Sequence, residues 1–342
     1  MKFYKSIIIA ALTAFCLIIF PSVTKAADTM QIITTIFPEY DWVMNIPGEN
    51  PAGIEVTQLL NNGIDLHSYQ PTAIDIMKLS ACDLFIYVGG ESDEWVEDAL
   101  SEATNKNMIT INLLEALGDA VKEEEIVEGM EHEHEHEDED EDEQHDHEHE
   151  HTEDHEYDHE HEEIEYDEHV WLSLRNAAVL CGKIAEAIET LDPDNAALYQ
   201  ANAAAFIQKL NALNEEYQTE VNEAPLHTLL FGDRFPFRYL TDDYGLDYYA
   251  AFSGCSAESE ASFETIIFLT DKVNELSLHS VMTIEGKDHR IAETVVRNTA
   301  TKDQQILTMN SMQATTSKDY ANGSTYLSIM EENLNVLKQA LR

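Results

Sequence analysis

The pattern that most restricts the fold is an alternation. Short β-branched runs take turns with helical periodicity from Gln31 onward, four times before one long helix and four times after it. The first runs are 31–37 (QIITTIF), 54–60, 84–90 and 108–114, with helical patterns such as 72–78 and 94–103 between them. The second runs are 228–231, 247–252, 280–284 and 305–309, with a helix expected over 262–276. Strands alternating with helices predict a mainly parallel sheet covered by helices. Between the two sets, Asp192-Pro193 supplies an N-cap followed by proline at the first helical position. Phe206, Leu210, Leu213 and Tyr217 then recur at three- and four-residue steps. Leu198 lies two four-residue steps before Phe206 and extends the same face, and Pro225 follows the helix end. The expected class is α/β: two α/β lobes joined by a long helix, with a ligand cleft between them. The expected boundaries are 1–26 for an export signal, 27–190 for the first lobe, 191–222 for the linking helix and 223–342 for the second lobe.

Within the first lobe, 122–168 breaks the pattern. From Glu123 the chain is acid and histidine almost without interruption, carrying His132, His134, His136, His145, His147, His149, His151, His155, His159 and His161. So few apolar residues cannot offset the entropy of ordering, and disorder is expected. Much of the net charge of −48 sits here. Such a charge repels phosphates, so nucleic acid is not an expected partner and cations are. A solvated linker needs charge, but it does not need histidine alternating with carboxylate. Neutral imidazole suits zinc, copper and nickel, and the carboxylates raise the local cation concentration. Many interchangeable ligands imply weak, exchanging auxiliary sites, not one site of fixed geometry.

The N-terminus reads as an export signal. Lys2 and Lys5 precede an apolar stretch over 7–20, and Thr24-Lys25-Ala26 precedes a cut ahead of Ala27. The alternative is an uncleaved anchor. Cys16 lies inside the apolar stretch, which argues against a lipoprotein signal. The expected location is periplasmic, or the extracellular face of the cell membrane. The remaining cysteines, Cys82, Cys181 and Cys255, are odd in number: one disulfide or buried free thiols both fit.

Open α/β sheets bind ligands beyond the carboxyl ends of their strands. Metal-ligand residue types after strands are His67, Asp233, Glu285 and Asn310, and His169 ends the acidic run and opens a helix expected over 170–188. Each also has an ordinary reading: a hydrogen-bonded loop histidine, a helix-capping Asp233, or a Glu285 paired with Lys287 or Arg290. Trp42, Trp95 and Trp171 read as core or cleft wall. His227 and His279 read as structural, and His289 as an exposed extra ligand at most. In Gly254-Cys255-Ser256-Ala257-Glu258, a strand-to-helix loop, Glu258 and Glu260 carry no argument for the cleft.

Several motifs together resemble a known family. They are Phe37-Pro38 after the first strand, Gly63-Ile64-Asp65-Leu66-His67-Ser68-Tyr69-Gln70-Pro71, and Asp167-Glu168-His169-Val170-Trp171-Leu172-Ser173. The histidine-rich loop between the two histidines, the long helix and Tyr244-Gly245-Leu246 complete the set. In these the chain resembles the substrate-binding proteins of zinc and manganese ABC importers, in the zinc-receptor branch of cluster A-I type. The resemblance implies two lobes on a rigid helix with metal held between them, and His67 and His169 as ligands. It implies an extracytoplasmic receptor that captures Zn2+ and delivers it to a membrane permease served by a cytoplasmic ATPase, not an enzyme. The second lobe departs from the pattern. A third histidine is expected after its first strand, but the segment reads Phe231-Gly232-Asp233-Arg234-Phe235-Pro236-Phe237. Asp233 is the nearest residue able to ligate, and Arg234 can offset excess carboxylate charge. The fourth position falls on Asn310, with Glu285 as the acidic alternative. Two imidazoles with harder oxygens tilt the site toward Mn2+ or iron, while the histidine loop pulls back toward zinc. A metal buffer or chaperone without a permease keeps the same features. A zinc hydrolase lacks support: no His-Glu-x-x-His helix, nucleophile elbow or paired general base stands out.

Overall fold

The computed structural model describes residues 29–130, 165–256, 260–286 and 288–342. The expected signal, the ten histidines of the acidic run and Glu258 fall outside these residues. The first set of runs folds as β1 (Gln31–Thr34), α1 (Phe37–Met44), β2 (Glu55–Gln58), α2 (Ala73–Ala81), β3 (Leu84–Tyr87), α3 (Trp95–Ser101), β4 (Ile109–Asn112) and α4 (Leu113–Leu117). All pairings are parallel, in the order β2-β1-β3-β4. Next come α5 (Leu174–Leu191) and α6 (Ala196–Glu223). The second set gives β5 (Thr228–Phe235), α7 (Arg238–Tyr244), β6 (Asp247–Ser253), α8 (Phe263–Glu275), β7 (Ser280–Ile284), α9 (Arg290–Asn298), β8 (Gln305–Met309), α10 (Ser317–Ala321) and α11 (Tyr326–Ala340). Its order, β6-β5-β7-β8, repeats that of the first sheet, again all parallel. The expected two-lobed α/β architecture is therefore the observed one. Among the described residues, no helix is long and apolar enough to cross a membrane.

Several boundaries differ from the sequence expectation for local reasons. The run 31–37 is strand only to Thr34, because Pro38 falls in the first turn of α1 and the Glu39 carboxylate takes the backbone N–H groups of Thr35 and Ile36. The run 84–90 leaves the sheet after Tyr87, where Gly89 and Gly90 turn with positive φ. β5 continues past Phe231 to Phe235, with a register shift between Phe231 and Arg234. Gly232 sits at that irregularity because α9 packs on it: a Cβ there would lie 2.6 Å from the Ala292 Cα.

The connector is one long helix, as expected, entered through a short turn. Pro193–Asn195 form a short 3-10 turn, and α6 begins at Ala196. Its buried stripe is Tyr199, Ala203, Phe206, Leu210, Leu213, Tyr217 and Val221. Leu198 does not belong to it: it is exposed, because Tyr199 is the residue that continues the alternating three- and four-residue step. α5 packs along α6, starting at Ser173, whose Oγ accepts the Asn176 N–H.

One continuous apolar core runs across both sheets, and a smaller one lies under α8 and α9. Polar ties join the lobes at the cleft. Gln58 Nε2 donates to the Thr315 carbonyl (3.0 Å), and Tyr239 Oη to the Asp167 carbonyl (2.8 Å). Trp171 Nε1 donates to the Ser311 carbonyl (2.8 Å), and Tyr326 Oη to the Trp171 carbonyl (2.7 Å). The chain that leads into the acidic run crosses onto the second lobe. Lys122 donates its N–H to Tyr239 Oη, and a Cβ on Gly129 would meet the Phe268 ring of α8. The two ends of the run are pinned together by the antiparallel bridge Glu123–Tyr166.

Candidate metal centre

Two loops bring the key histidines together. His67 rides a short 3-10 turn, Leu66–Ser68, after β2, and its N–H is capped by Asp65 Oδ1 at 3.1 Å. His169 lies at the start of the chain's return from the acidic run, fully buried between β3 and the second lobe. Their rings are anchored on the outer side. His67 Nδ1 lies 2.8 Å from Ser92 Oγ, on the loop after β3. His169 Nδ1 lies 2.9 Å from Asp167 Oδ1, which also accepts the His169 backbone N–H. A proton on each Nδ1 satisfies these partners and leaves both Nε2 lone pairs pointing inward. The two Nε2 atoms are 3.3 Å apart.

Two side chains close on the same point. The Gln313 amide nitrogen lies 2.7 Å from His169 Nε2 and 3.3 Å from His67 Nε2. Cys255 Sγ and the two imidazoles form a group of candidate ligand atoms lying within 4.8 Å of one another. All three cysteines among the described residues are free thiols. Gly254 allows the Cys255 turn to sit on the His169 ring: a Cβ there would be 2.9 Å from His169 Cε1.

The electrostatics favour a cation. Burial, and the second imidazole beside it, hold His67 down to about 4, so it is neutral at ordinary pH. Burial raises Glu168 to about 7. Glu168 Oε1 accepts the Ser92 N–H, while its buried Oε2 has no hydrogen bond and stands 3.5 Å from His67 Nδ1. Burial pushes the Cys255 thiol far up, with Glu124, Asp167 and Glu168 adding to it. Outside, a cleft of about 390 Å³ is walled by Glu91, Glu94, Glu124, Glu165, Glu168 and Tyr166, and it reaches His67 and Cys255. An acidic funnel of this kind concentrates cations at the imidazoles.

The expected second-lobe ligands are engaged elsewhere. Asp233 braces the irregularity of β5: its two oxygens accept the N–H groups of Arg234 and Ile284, at 2.9 and 3.2 Å. Glu285 accepts both the N–H and the hydroxyl of Ser311, at 2.6 and 2.7 Å, and does not pair with Arg290, which holds Asp288. Asn310 Oδ1 accepts the Met312 N–H, and its backbone is held by Asn333. None of the three belongs to the group formed by His67, His169 and Cys255. The ten run histidines lie outside the described residues. Trp171 is buried against His169, their ring centroids 5.2 Å apart, and Trp42 is buried in the core.

Cys255 and Gln313 were not among the expected ligands. The strand-end rule points to both: Cys255 is two residues past β6 and Gln313 four past β8. The expected set was built from histidine and oxygen ligands, and in the Cys255 loop from its glutamates alone.

Comparison with known proteins points the same way. The family model described as ZnuA, zinc-uptake complex component A, periplasmic, matches residues 32–340. The zinc-binding lipoprotein AdcA of Streptococcus pneumoniae serotype 4 is 29% identical over 334 residues, covering 98% of this chain and 60% of AdcA. The chain thus spans about 60% of the length of that relative. The high-affinity zinc uptake system protein ZnuA of Bacillus subtilis strain 168 is 27% identical over 320 residues, covering 94% of this chain and 90% of that protein. The crystal structure of the Zn(II)-bound ZnuA-like domain of Streptococcus pneumoniae AdcA superposes with a TM-score of 0.66 at 25% identity, covering 92% of this chain and 99% of that domain.

Proposed function

The chain belongs to the zinc-uptake complex component A family, and from that premise we propose that it is the extracytoplasmic zinc receptor of an ABC importer. It captures Zn2+ between its two lobes, holds it on His67 and His169, and yields it to a membrane permease driven by a cytoplasmic ATPase. The zinc-binding relatives and the Zn(II)-bound neighbouring structure support this reading.

One observation carries it. Two nitrogens bound at ~2.0–2.1 Å to a tetrahedral zinc stand ~3.3 Å apart. The two Nε2 atoms, with their Nδ1 sides anchored outward, are 3.3 Å apart. That is one edge of the coordination polyhedron, set before any ion arrives. No proton needs to move in substrate, and no bond needs to break, for a receptor to work, so the protein acts by binding and release, not by catalysis.

Asp233, Glu285 and Asn310 serve in this reading as braces for the loops that meet at the ion. The histidine run gathers zinc outside and feeds the acidic cleft, where its two ends are fixed. The test is zinc competition against a chromophoric chelator. His67→Ala and His169→Ala should each lower affinity at least ~100-fold, while leaving the far-ultraviolet circular dichroism unchanged. Wild-type affinity retained in both variants would refute the assignment.

A further inference from the structure

We propose that Cys255 supplies a thiolate as the third ligand and Gln313 its amide oxygen as the fourth, making a centre of two imidazoles, one sulfur and one oxygen. The proposal deepens the zinc-receptor reading and rests on it.

The geometry leads to Cys255 first. Among the described residues, His67, His169 and Cys255 are the cluster of histidine, cysteine or carboxylate ligand atoms that converge. In a tetrahedral zinc centre a sulfur at ~2.3 Å stands ~3.6 Å from each nitrogen. The sulfur lies within 4.8 Å of a ring nitrogen of each histidine, close enough for the three to share an ion. Its turn is built to sit there. Gly254 removes the side chain that would strike His169, and Arg234 Nη1 donates to the Ser256 carbonyl just beyond the cysteine. The carboxylates nearby face other partners: Asp233 takes two backbone N–H groups, and Glu168 lies on the Nδ1 side of His67.

The orientation of Gln313 follows from proton bookkeeping along a chain of three residues. Ser311 Oγ has one proton and gives it to Glu285 Oε1, at 2.7 Å. Toward Gln313, 3.2 Å away, the hydroxyl can then only accept. Against bare imidazole lone pairs the NH2 is the end that bonds, at 2.7 and 3.3 Å; against an ion held on those lone pairs the amide turns over, giving its NH2 to Ser311 and its oxygen to the ion. Two imidazole nitrogens and an amide oxygen then converge on the ion. Gln313 is buried, so the ion meets the amide and not bulk water.

When the ion enters, the Cys255 S–H bond breaks, the S–metal bond forms, and the proton leaves through the acidic cleft to solvent. The metal stays divalent and nothing is oxidised. A thiolate shifts preference toward zinc and softer ions and away from manganese and iron. This reverses the tilt toward Mn2+ implied by the oxygen ligands expected from sequence.

The test uses the full mature chain loaded with one equivalent of metal. Zinc-edge X-ray absorption should show one sulfur at ~2.3 Å beside nitrogen and oxygen scatterers. Cobalt(II) loading should give a thiolate-to-cobalt charge-transfer band that Cys255→Ser abolishes. Cys255→Ser and Gln313→Ala should each lower zinc affinity ~10-fold or more, and Cys255→Ser should narrow the preference for zinc over manganese. Zinc bound with no sulfur scatterer and no cobalt band in the wild-type protein would overturn this proposal and leave the receptor reading standing. A wild-type protein that holds no zinc against a chelator would overturn the receptor reading itself. The wild-type spectra need no variant to fold.

Discussion

Asp65 and Arg234 meet across the cleft, Oδ2 to Nη2 at 2.8 Å, the first two residues before His67 and the second on the first strand of the opposite sheet. Burial alone would raise the Asp65 carboxyl, but the Arg234 guanidinium outweighs it and holds the group below its ordinary value. The pair also keeps the arginine's positive charge from acting unopposed on the ion site.

The pair should therefore act on closure. Asp65→Ala and Arg234→Ala should each speed zinc release a few-fold, measured by stopped-flow chase with excess chelator. Both side chains are partly exposed, so a double-mutant cycle on zinc affinity should give a coupling of only about 0.5–1 kcal/mol. Strict additivity would remove the clamp from the account.

Asp167 orients His169 through both its ring N–H and its backbone N–H. Asp167→Ala frees the ring to turn and leaves a buried donor unpaired. Zinc affinity should fall ~10–100-fold with secondary structure intact. An unchanged affinity would mean the packing of Trp171 alone fixes the ring.

Gly254→Ala tests the close approach of the Cys255 turn. The added methyl would lie 2.9 Å from His169 Cε1 and 3.0 Å from the Phe235 carbonyl. Stability should drop by about 1–3 kcal/mol in urea unfolding, and zinc binding should weaken with it. Gly182→Ala, inside α5 with open space around it, is the contrast: it should stabilise by about 0.5–1 kcal/mol.

Asp41 sets a pH dependence away from the metal. It is fully buried, and burial raises its carboxyl to about 7 against the hydrogen bonds from Tyr326 and Asn45 that lower it. The folded state therefore holds a proton that the unfolded chain has lost above its ordinary value near 3.8. The contribution is fully present below that ordinary value and is lost as pH rises through about 7. Asp41→Asn should gain on the parent protein as pH rises, by on the order of 2 kcal/mol between pH ~5 and pH ~8.5, by urea unfolding at the two pH values. A difference between the two proteins that stays the same at both pH values would show that the carboxylate is well solvated.

Removing residues 131–163 should leave the affinity of the centre unchanged and slow zinc uptake only at the lowest external zinc. Uptake of radioactive zinc by cells starved of the metal checks it, and equal uptake at every concentration would leave the run without a gathering role.

Much of this arrangement was legible in the sequence, and the gaps have physical causes. Ser280–Ile284 and Gln305–Met309 were read to the residue, because turn chemistry bounds a short β-branched run on both sides. The run 84–90 was read too long: hydrophobicity continues through Val88 after the backbone has left the sheet. α1 was missed because its first residues, Phe37-Pro38, look like the end of a strand. His67 follows the second strand run and His169 ends the acidic run, and the motifs around them, Gly63–Pro71 and Asp167–Ser173, set both apart. Cys255 and Gln313 did not, because both act from loops whose course is set by tertiary packing: Gly254 against His169, and Ser311 against Glu285. Asp233, Glu285 and Asn310 have the right chemistry, and only the structure tells which backbone N–H groups occupy them.

The strapping of 167–171 changes how the site must let go of its cargo. Although His169 is reached from the first lobe, Asp167 is tied to Tyr239, and Trp171 to Ser311 and Tyr326, all on the far side. Glu168 in the same stretch takes the Ser92 N–H of the first lobe, so His169 stands at the seam, held from both sides, with His67 on one jaw and Cys255 and Gln313 on the other. A rotation that parted the jaws would draw His67 away from Cys255 and Gln313 and strain the straps on both sides of His169. The seam histidine would then be the last hold on an ion, and the straps of 167–171 would set how readily that hold gives way.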